Sequence, residues 1–127
     1  MKYTIELSEE QMRLVADCLE DISRFASGQM ELRHTTEEMF RALPHEDYTR
    51  MRDQKDVLID KLKKVMLPKM AKNESYGYNS TEFIGNVYQI YRTILHQLAI
   101  DNNWNNVYSS PALPSGNMGE VKISKIN

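Results

Sequence analysis

Carboxylates recur at helical spacing in two stretches of the chain: Asp17, Glu20 and Asp21, then Asp53, Asp56 and Asp60. Side chains three, four and seven residues apart share one face of a helix. Two such helices set against each other could hold Mg²⁺ between them and assist nucleotide hydrolysis. The same residues also fit ordinary surface ion pairing. Glu20 and Asp21 stand four and three residues before Arg24, while Asp56 and Asp60 lie near Arg52, Lys63 and Lys64. The last helical stretch offers only Glu82, so half of such a metal site is missing, and no metal ligand is assigned.

The other reactive side chains are scattered. His34, His45 and His96 are far apart and Cys18 is the lone cysteine, so no zinc spacing exists. Cys18 reads as a packed thiol rather than a nucleophile. No glycine-rich phosphate loop, nucleophile elbow or dinucleotide fingerprint is present. The expectation is a protein with no catalytic residues and no cofactor. One strip stands out: Tyr88, Arg92 and His96 repeat every four residues beside an apolar helical arc. They can snorkel to solvent, or they can form an anion-binding strip, since Arg and His donate to phosphate and Tyr can stack on a base.

The elements that must position these groups are mostly helical. Tyr3, Ile5 and Leu7 alternate with polar residues, which predicts a short strand. Ser8 with Gln11 forms a capping box opening a helix whose apolar positions Met12, Val15, Leu19, Ile22 and Ala26 end at Gly28. Leu14, Cys18 and Phe25 form a second apolar stripe roughly 100° or more around the same helix, an expected interface with a neighbouring element or subunit. Thr35 with Glu38 predicts a short helix before Pro44. A long helix then carries Tyr48, Met51, Leu58, Leu62 and Val65 on one face as far as Pro68. Asn79 with Glu82 predicts the cap of a third long helix, bearing Phe83, Ile84, Val87, Ile90, Tyr91, Ile94, Leu95 and Leu98 and ending near Asn103. From Trp104 onward prolines and glycines exclude a helix, and Val121 to Ile126 alternate again, predicting a strand able to pair with residues 2–7. The fold class expected is mainly α (α+β): three longer helices, one short helix and short terminal strands. It forms a single domain over 1–127, with a helical body over about 8–103 and an extended C-terminal segment over 104–127.

Composition limits the partners. With 16 basic and 18 acidic side chains, the formal charge is −2, which gives no general attraction to nucleic acid or to an anionic membrane. The N-terminus lacks the apolar core of a signal peptide, and no apolar run approaches a membrane span. A single cysteine fits a reducing compartment, so a cytoplasmic setting is expected.

The most distinctive string, Ser23-Arg24-x-x-x-Gly28-Gln29, closes the first helix. With the Ser8-Glu9-Glu10-Gln11 cap, Tyr76-Gly77-Tyr78, Arg92 and the closing Lys125-Ile126, it resembles a family of small, largely uncharacterised bacteriophage and prophage proteins. The resemblance touches most of the chain but is thin over 36–72. It implies a phage or mobile-element origin, a bacterial host cytoplasm and a non-enzymatic role, such as countering host defence. Such a protein could capture a small anionic or nucleotide-like ligand. Arg24, Gly28 and Gln29 would hold the anion, Tyr76 and Tyr78 would stack, and the Tyr88, Arg92 and His96 strip would complete the site. The alternative is an oligomeric interaction module, an expected homo-oligomer, that blocks a host protein. A Mg²⁺-dependent helical nucleotide pyrophosphohydrolase is the distant third reading.

Overall fold

The computed structural model describes residues 1–126. Four helices follow in order: α1 (Glu9–Ser27), α2 (Arg33–Phe40), α3 (His45–Met66) and α4 (Glu82–Asn102). A single 3₁₀ turn follows over Val107–Ser109. No helix among the described residues is long and apolar enough to cross a membrane.

Each start and stop has a local cause. The Gln11 N–H donates to Ser8 Oγ at 3.1 Å and the Ser8 N–H donates to Gln11 Oε1 at 2.9 Å, completing the capping box of α1. Gly28 ends α1 at φ 108°, where a Cβ would sit 2.5 Å from Met70 Sδ. Pro44 precedes α3, and Leu67, the residue before Pro68, ends it. The cap of α4 is Thr81 rather than Asn79, its hydroxyl accepting from the Ile84 N–H at 3.1 Å. Asn103 closes α4 in the left-handed conformation.

The core is the seam between α1 and α4. Ala16 of α1 meets Tyr91, Ile94, Leu95 and Leu98 of α4, with Met12, Leu19, Trp104, Tyr108 and Ile123 packed around them. The inward face of α1 is therefore rotated from the centre of its apolar spacing: Met12 and Leu19 of the expected stripe lie at the edge of the core. Ala16, Glu20, Ser23 and Ser27 are buried, whereas Val15 and Ile22 are 37% and 45% exposed. Small residues at these spacings let α4 approach closely. Leu14 and Cys18 are exposed and Phe25 is half-buried, so within the chain the second stripe is only partly covered.

The expected terminal strands are not present, and the fold is all-helical rather than α+β. Among the described residues no strand or bridge forms. Tyr3 and Ile5 are 82% and 75% exposed and have nothing to pack on. The alternation at Val121 and Ile123 has another origin: the segment is non-helical chain whose alternate side chains are half-buried, with Ile123 packed on the core. Period-2 patterning marks an extended backbone with one buried side and does not require a partner strand. Two isolated strands would also be marginal in water.

This C-terminal strap is fastened to α4. Ser115 Oγ donates to the Gly85 carbonyl at 2.8 Å, and the Ser115 N–H donates to Gln89 Oε1 at 3.2 Å. The Asn117 N–H donates to Asn86 Oδ1 at 2.7 Å. The strap comes so close that a Cβ on Gly85 would lie 2.8 Å from the Gly116 nitrogen, a backbone atom with little room to yield. Gly85→Ala is therefore expected to cost roughly 1–3 kcal/mol through overpacking. It should speed protease cleavage around 110–118 while leaving the helical circular dichroism intact. Cleavage at the wild-type rate would show that this contact does not hold the strap.

Candidate functional site

Two adjacent carboxylates on α1 organise the surrounding structure. Glu20 and Asp21 are 3% and 2% exposed, so each must find donors within the protein. Glu20 Oε1 accepts from His34 Nε2 at 2.9 Å and lies 3.4 Å from an Arg24 guanidinium nitrogen. Glu20 Oε2 accepts from the Tyr108 hydroxyl at 2.8 Å. Asp21 accepts the His34 N–H at 3.2 Å, the Thr35 N–H at 2.7 Å and the Thr35 hydroxyl at 2.7 Å.

Asp21 thus caps α2 from another helix. The residue preceding α2 is Leu32, held at φ 51°, and it supplies no side-chain cap. Thr35, expected to cap this helix, sits inside it and turns its hydroxyl to Asp21. A remote carboxylate does the work that a local Ser or Asp usually does.

Beside Glu20 opens a cleft of about 510 Å³. It is lined by Arg13, Asp17 and Glu20 of α1, His34 of α2, Leu95 of α4, and Trp104, Asn105, Asn106 and Tyr108 of the turn that follows. The Arg13 guanidinium carbon lies 4.8 Å from the Trp104 ring centre, a cation–π contact. A smaller depression of about 210 Å³ is lined by Asp21, Arg24, Gln29, Glu31, Leu32 and Arg33.

The electrostatics follow from burial around Glu20. Burial pushes the His34 imidazole down, but its hydrogen bond to Glu20 and the charges of Asp17, Glu20 and Asp21 outweigh this and hold it above its ordinary value. Burial raises the Asp17 carboxyl. Burial and the hydrogen bond to Glu20 push Tyr108 up to about 12, so its hydroxyl stays a donor at neutral pH. Burial, followed by the Glu20 charge, pushes Tyr91 up to about 12 as well.

The expected ligand residues divide. Arg24 and Gln29 come together in the small depression, and Gln29 Nε2 donates to Ser75 Oγ at 3.3 Å. Gly28 is packed beneath Met70. Tyr76 is half exposed in the loop whose N–H donates to the Ser27 carbonyl at 2.7 Å. Tyr78 lies against Tyr88, ring centres 4.7 Å apart, and both rings are half-buried. Arg92 is 7% exposed, between the rings of Tyr88 and Tyr108 at 5.9 and 5.0 Å, and donates to the Val107 carbonyl at 3.3 Å. His96 Nδ1 lies 3.0 Å from the Tyr108 carbonyl oxygen. Arg92 and His96 therefore hold the 107–108 turn, and neither lines the cleft. Among the described residues the acidic groups of α1 and α3 do not converge on a metal site.

In the sequence Asp17, Glu20 and Asp21 stand out as an acidic group and His34 as an isolated histidine, while Arg13, Trp104 and Tyr108 carry no motif. A usable signal was present: Ala16, Glu20, Ser23 and Ser27, at spacings of four, three and four, trace a small-residue face with a carboxylate in its middle. No family model, curated protein or solved structure matches the chain.

Removing the Asp21 carboxylate leaves three donors without their acceptor. Asp21→Ala is expected to lose about 2 kcal/mol in denaturant unfolding and to reduce helix content at α2. The histidine adds a pH dependence. A folded-state value raised above 6.5 contributes stability that is complete below 6.5 and is lost as pH rises through the higher value. The raised Asp17 carboxyl acts with the same sign, at lower pH. Urea midpoints should therefore fall from mildly acidic to mildly alkaline pH in the wild type and fall less in His34→Gln. Parallel pH profiles for the two proteins would remove His34 as the source.

Proposed function

We propose that the chain is a small-ligand-binding protein, and that its site is the cleft between the middle of α1, the start of α2 and the 104–108 turn. The observation carrying this reading is the convergence on one buried carboxylate of charged, aromatic and amide side chains around an open volume of about 510 Å³. That volume suits a ligand of nucleoside or nucleotide size. Trp104 offers a ring to stack against, Asp17 with Asn105 and Asn106 offers partners for the edge of a base, and Arg13 with protonated His34 offers positive charge for a phosphate. Asp17 and Glu20 oppose a ligand with several phosphates, so a nucleoside or a singly phosphorylated nucleotide fits best. A phage or prophage origin, a host-cell cytoplasm and a counter-defence role by sequestration follow from the resemblance of the Ser23 to Gln29 string and belong to the same proposal.

A second reading rests on the outward face of α1. Leu14 is 63% exposed and Cys18 is exposed, with Phe25 half-buried along the same stripe, a surface a host protein could cover.

A thermal-shift panel of nucleosides, mononucleotides and cyclic dinucleotides separates the two readings. Under the ligand reading, a nucleoside or mononucleotide raises the melting temperature, and Trp104→Ala or Asp17→Asn weakens its binding by roughly tenfold or more. No shift with any member of the panel would sink the ligand reading. Loss of a host partner in Leu14→Glu would then support the second.

A further inference from the structure

Two carboxylates line the cleft, and only one of them is already supplied with donors. Glu20 is filled: its Oε1 accepts from His34 and its Oε2 from the Tyr108 hydroxyl. Asp17 is not. Its side chain is 34% exposed, and among the described residues no group donates a hydrogen bond to it. His34 Nε2 lies 3.9 Å from Asp17 Oδ1 and already donates to Glu20. An ionised carboxylate can only accept, so Asp17 presents two acceptor oxygens to whatever enters. The second feature is the ring of Trp104. Arg13 stands one helical turn before Asp17, and its guanidinium carbon lies 4.8 Å from the centre of that ring. Arg13 is exposed and makes no ion pair among the described residues, so an incoming ring can take its place. A flat group rich in N–H donors thus already rests on Trp104, one turn from an unclaimed carboxylate.

We propose that the cleft selects guanine among the nucleic-acid bases, stacking it on the Trp104 ring that Arg13 now occupies and holding its N1–H and N2–H groups with the two oxygens of Asp17. This rests on the ligand reading above and names the base. The chemistry of the base edges decides it. Guanine sets two N–H donors side by side, the same fork that arginine offers a carboxylate. Adenine and cytosine set an amino donor beside a bare ring nitrogen, and uracil and thymine set one N–H between two carbonyls. Each of these brings a lone pair against one oxygen of Asp17, which adds repulsion to a lost hydrogen bond. Arg13, moved off the ring, is then free to meet the phosphate of a mononucleotide.

Trp104 is the only tryptophan of the chain, so its fluorescence reports on a base stacked there. The experiment titrates the whole chain with guanosine, inosine, adenosine, cytidine, uridine and xanthosine, followed by tryptophan fluorescence and calorimetry. Guanosine should bind most tightly. Inosine, which lacks only the N2 amino group, should bind roughly tenfold more weakly, and adenosine roughly a hundredfold. Asp17→Asn exchanges one acceptor oxygen for a donor amide. It should lose guanosine and gain xanthosine, whose N1–H and C2 carbonyl match the new side chain, a gain that a misfolded variant cannot show. Equal affinity for guanosine and adenosine overturns the guanine assignment and leaves the ligand reading standing. So does an Asp17→Asn variant that still prefers guanosine to xanthosine, or a wild type that binds agmatine in place of guanosine and so marks a guanidinium site. If no nucleoside moves the fluorescence or the heat, the ligand reading falls and the guanine assignment falls with it.

Discussion

A carboxylate removed from water must be supplied with donors, and Glu20 and Asp21 impose that demand at the centre of this fold. Consecutive residues on a helix point about 100° apart, so the pair addresses two directions at once. Asp21 takes the first free N–H groups of α2, which settles where that helix begins and holds Leu32 in a left-handed conformation. Glu20 takes the His34 ring from α2 and the Tyr108 hydroxyl from the C-terminal strap. The lining contributed by α2 and by Tyr108 is thereby tied to α1. Replacing either carboxylate with an apolar group would remove a bond and also the reason for α2 and the strap to lie where they do.

α4 supplies the backing for this arrangement. Arg92 is buried without a carboxylate partner among the described residues, and its charge rests instead on the faces of Tyr88 and Tyr108. One of its nitrogens donates to the Val107 carbonyl, and His96 meets the Tyr108 carbonyl. The strip of Tyr88, Arg92 and His96 thus acts as positioning machinery for the 107–108 turn. It sets the rotation of Tyr108, which in turn completes the shell of Glu20. Support of this kind, one layer behind the residues that line a cleft, fixes their geometry to a fraction of an ångström and limits the entropy lost on binding.

Local chemistry was legible in the sequence, whereas the choice of buried face was not. The Ser8 box, the Gly28 stop, the Pro44 and Pro68 boundaries and most of the apolar arc of α4 depend on neighbours within a few residues and appear in the structure, although Phe83 at the start of that arc is 54% exposed. The inward face of α1 depends on what α4 brings to it. Apolar periodicity identified Met12 and Leu19, which pack on the core, but also Val15 and Ile22, which are partly exposed while Glu20 and Ser23 are buried. Spacing shows which side of a helix is apolar; it does not show which side another helix will cover. The same limit applies to α2, where Thr35 with Glu38 has the spacing of a local cap but the true cap stands fourteen residues away on another helix. The terminal segments failed for a related reason, since alternation reports one covered side of an extended chain and leaves open what covers it.

The placement of the apolar surface follows from these constraints. Once the α1–α4 seam holds carboxylates, serines and tyrosines, part of the apolar surface of α1 is displaced to the outside, where Leu14 and Ile22 stay partly exposed. α3, attached through lysine-to-carbonyl bonds and one aromatic contact, keeps its own stripe outside too. The two surfaces differ in kind. The α1 stripe is short and interrupted by Asp21 and Arg24 at its edge, while the α3 stripe of Met51, Leu58, Leu62 and Val65 runs along most of its helix. The cleft draws its lining from α1, α2, α4 and the 104–108 turn and none of it from α3. The cleft and the α3 stripe consequently occupy separate parts of the molecule. A substitution on the α3 stripe can therefore leave the hydrogen bonds of Glu20 untouched, and one in the cleft can leave the α3 surface unchanged.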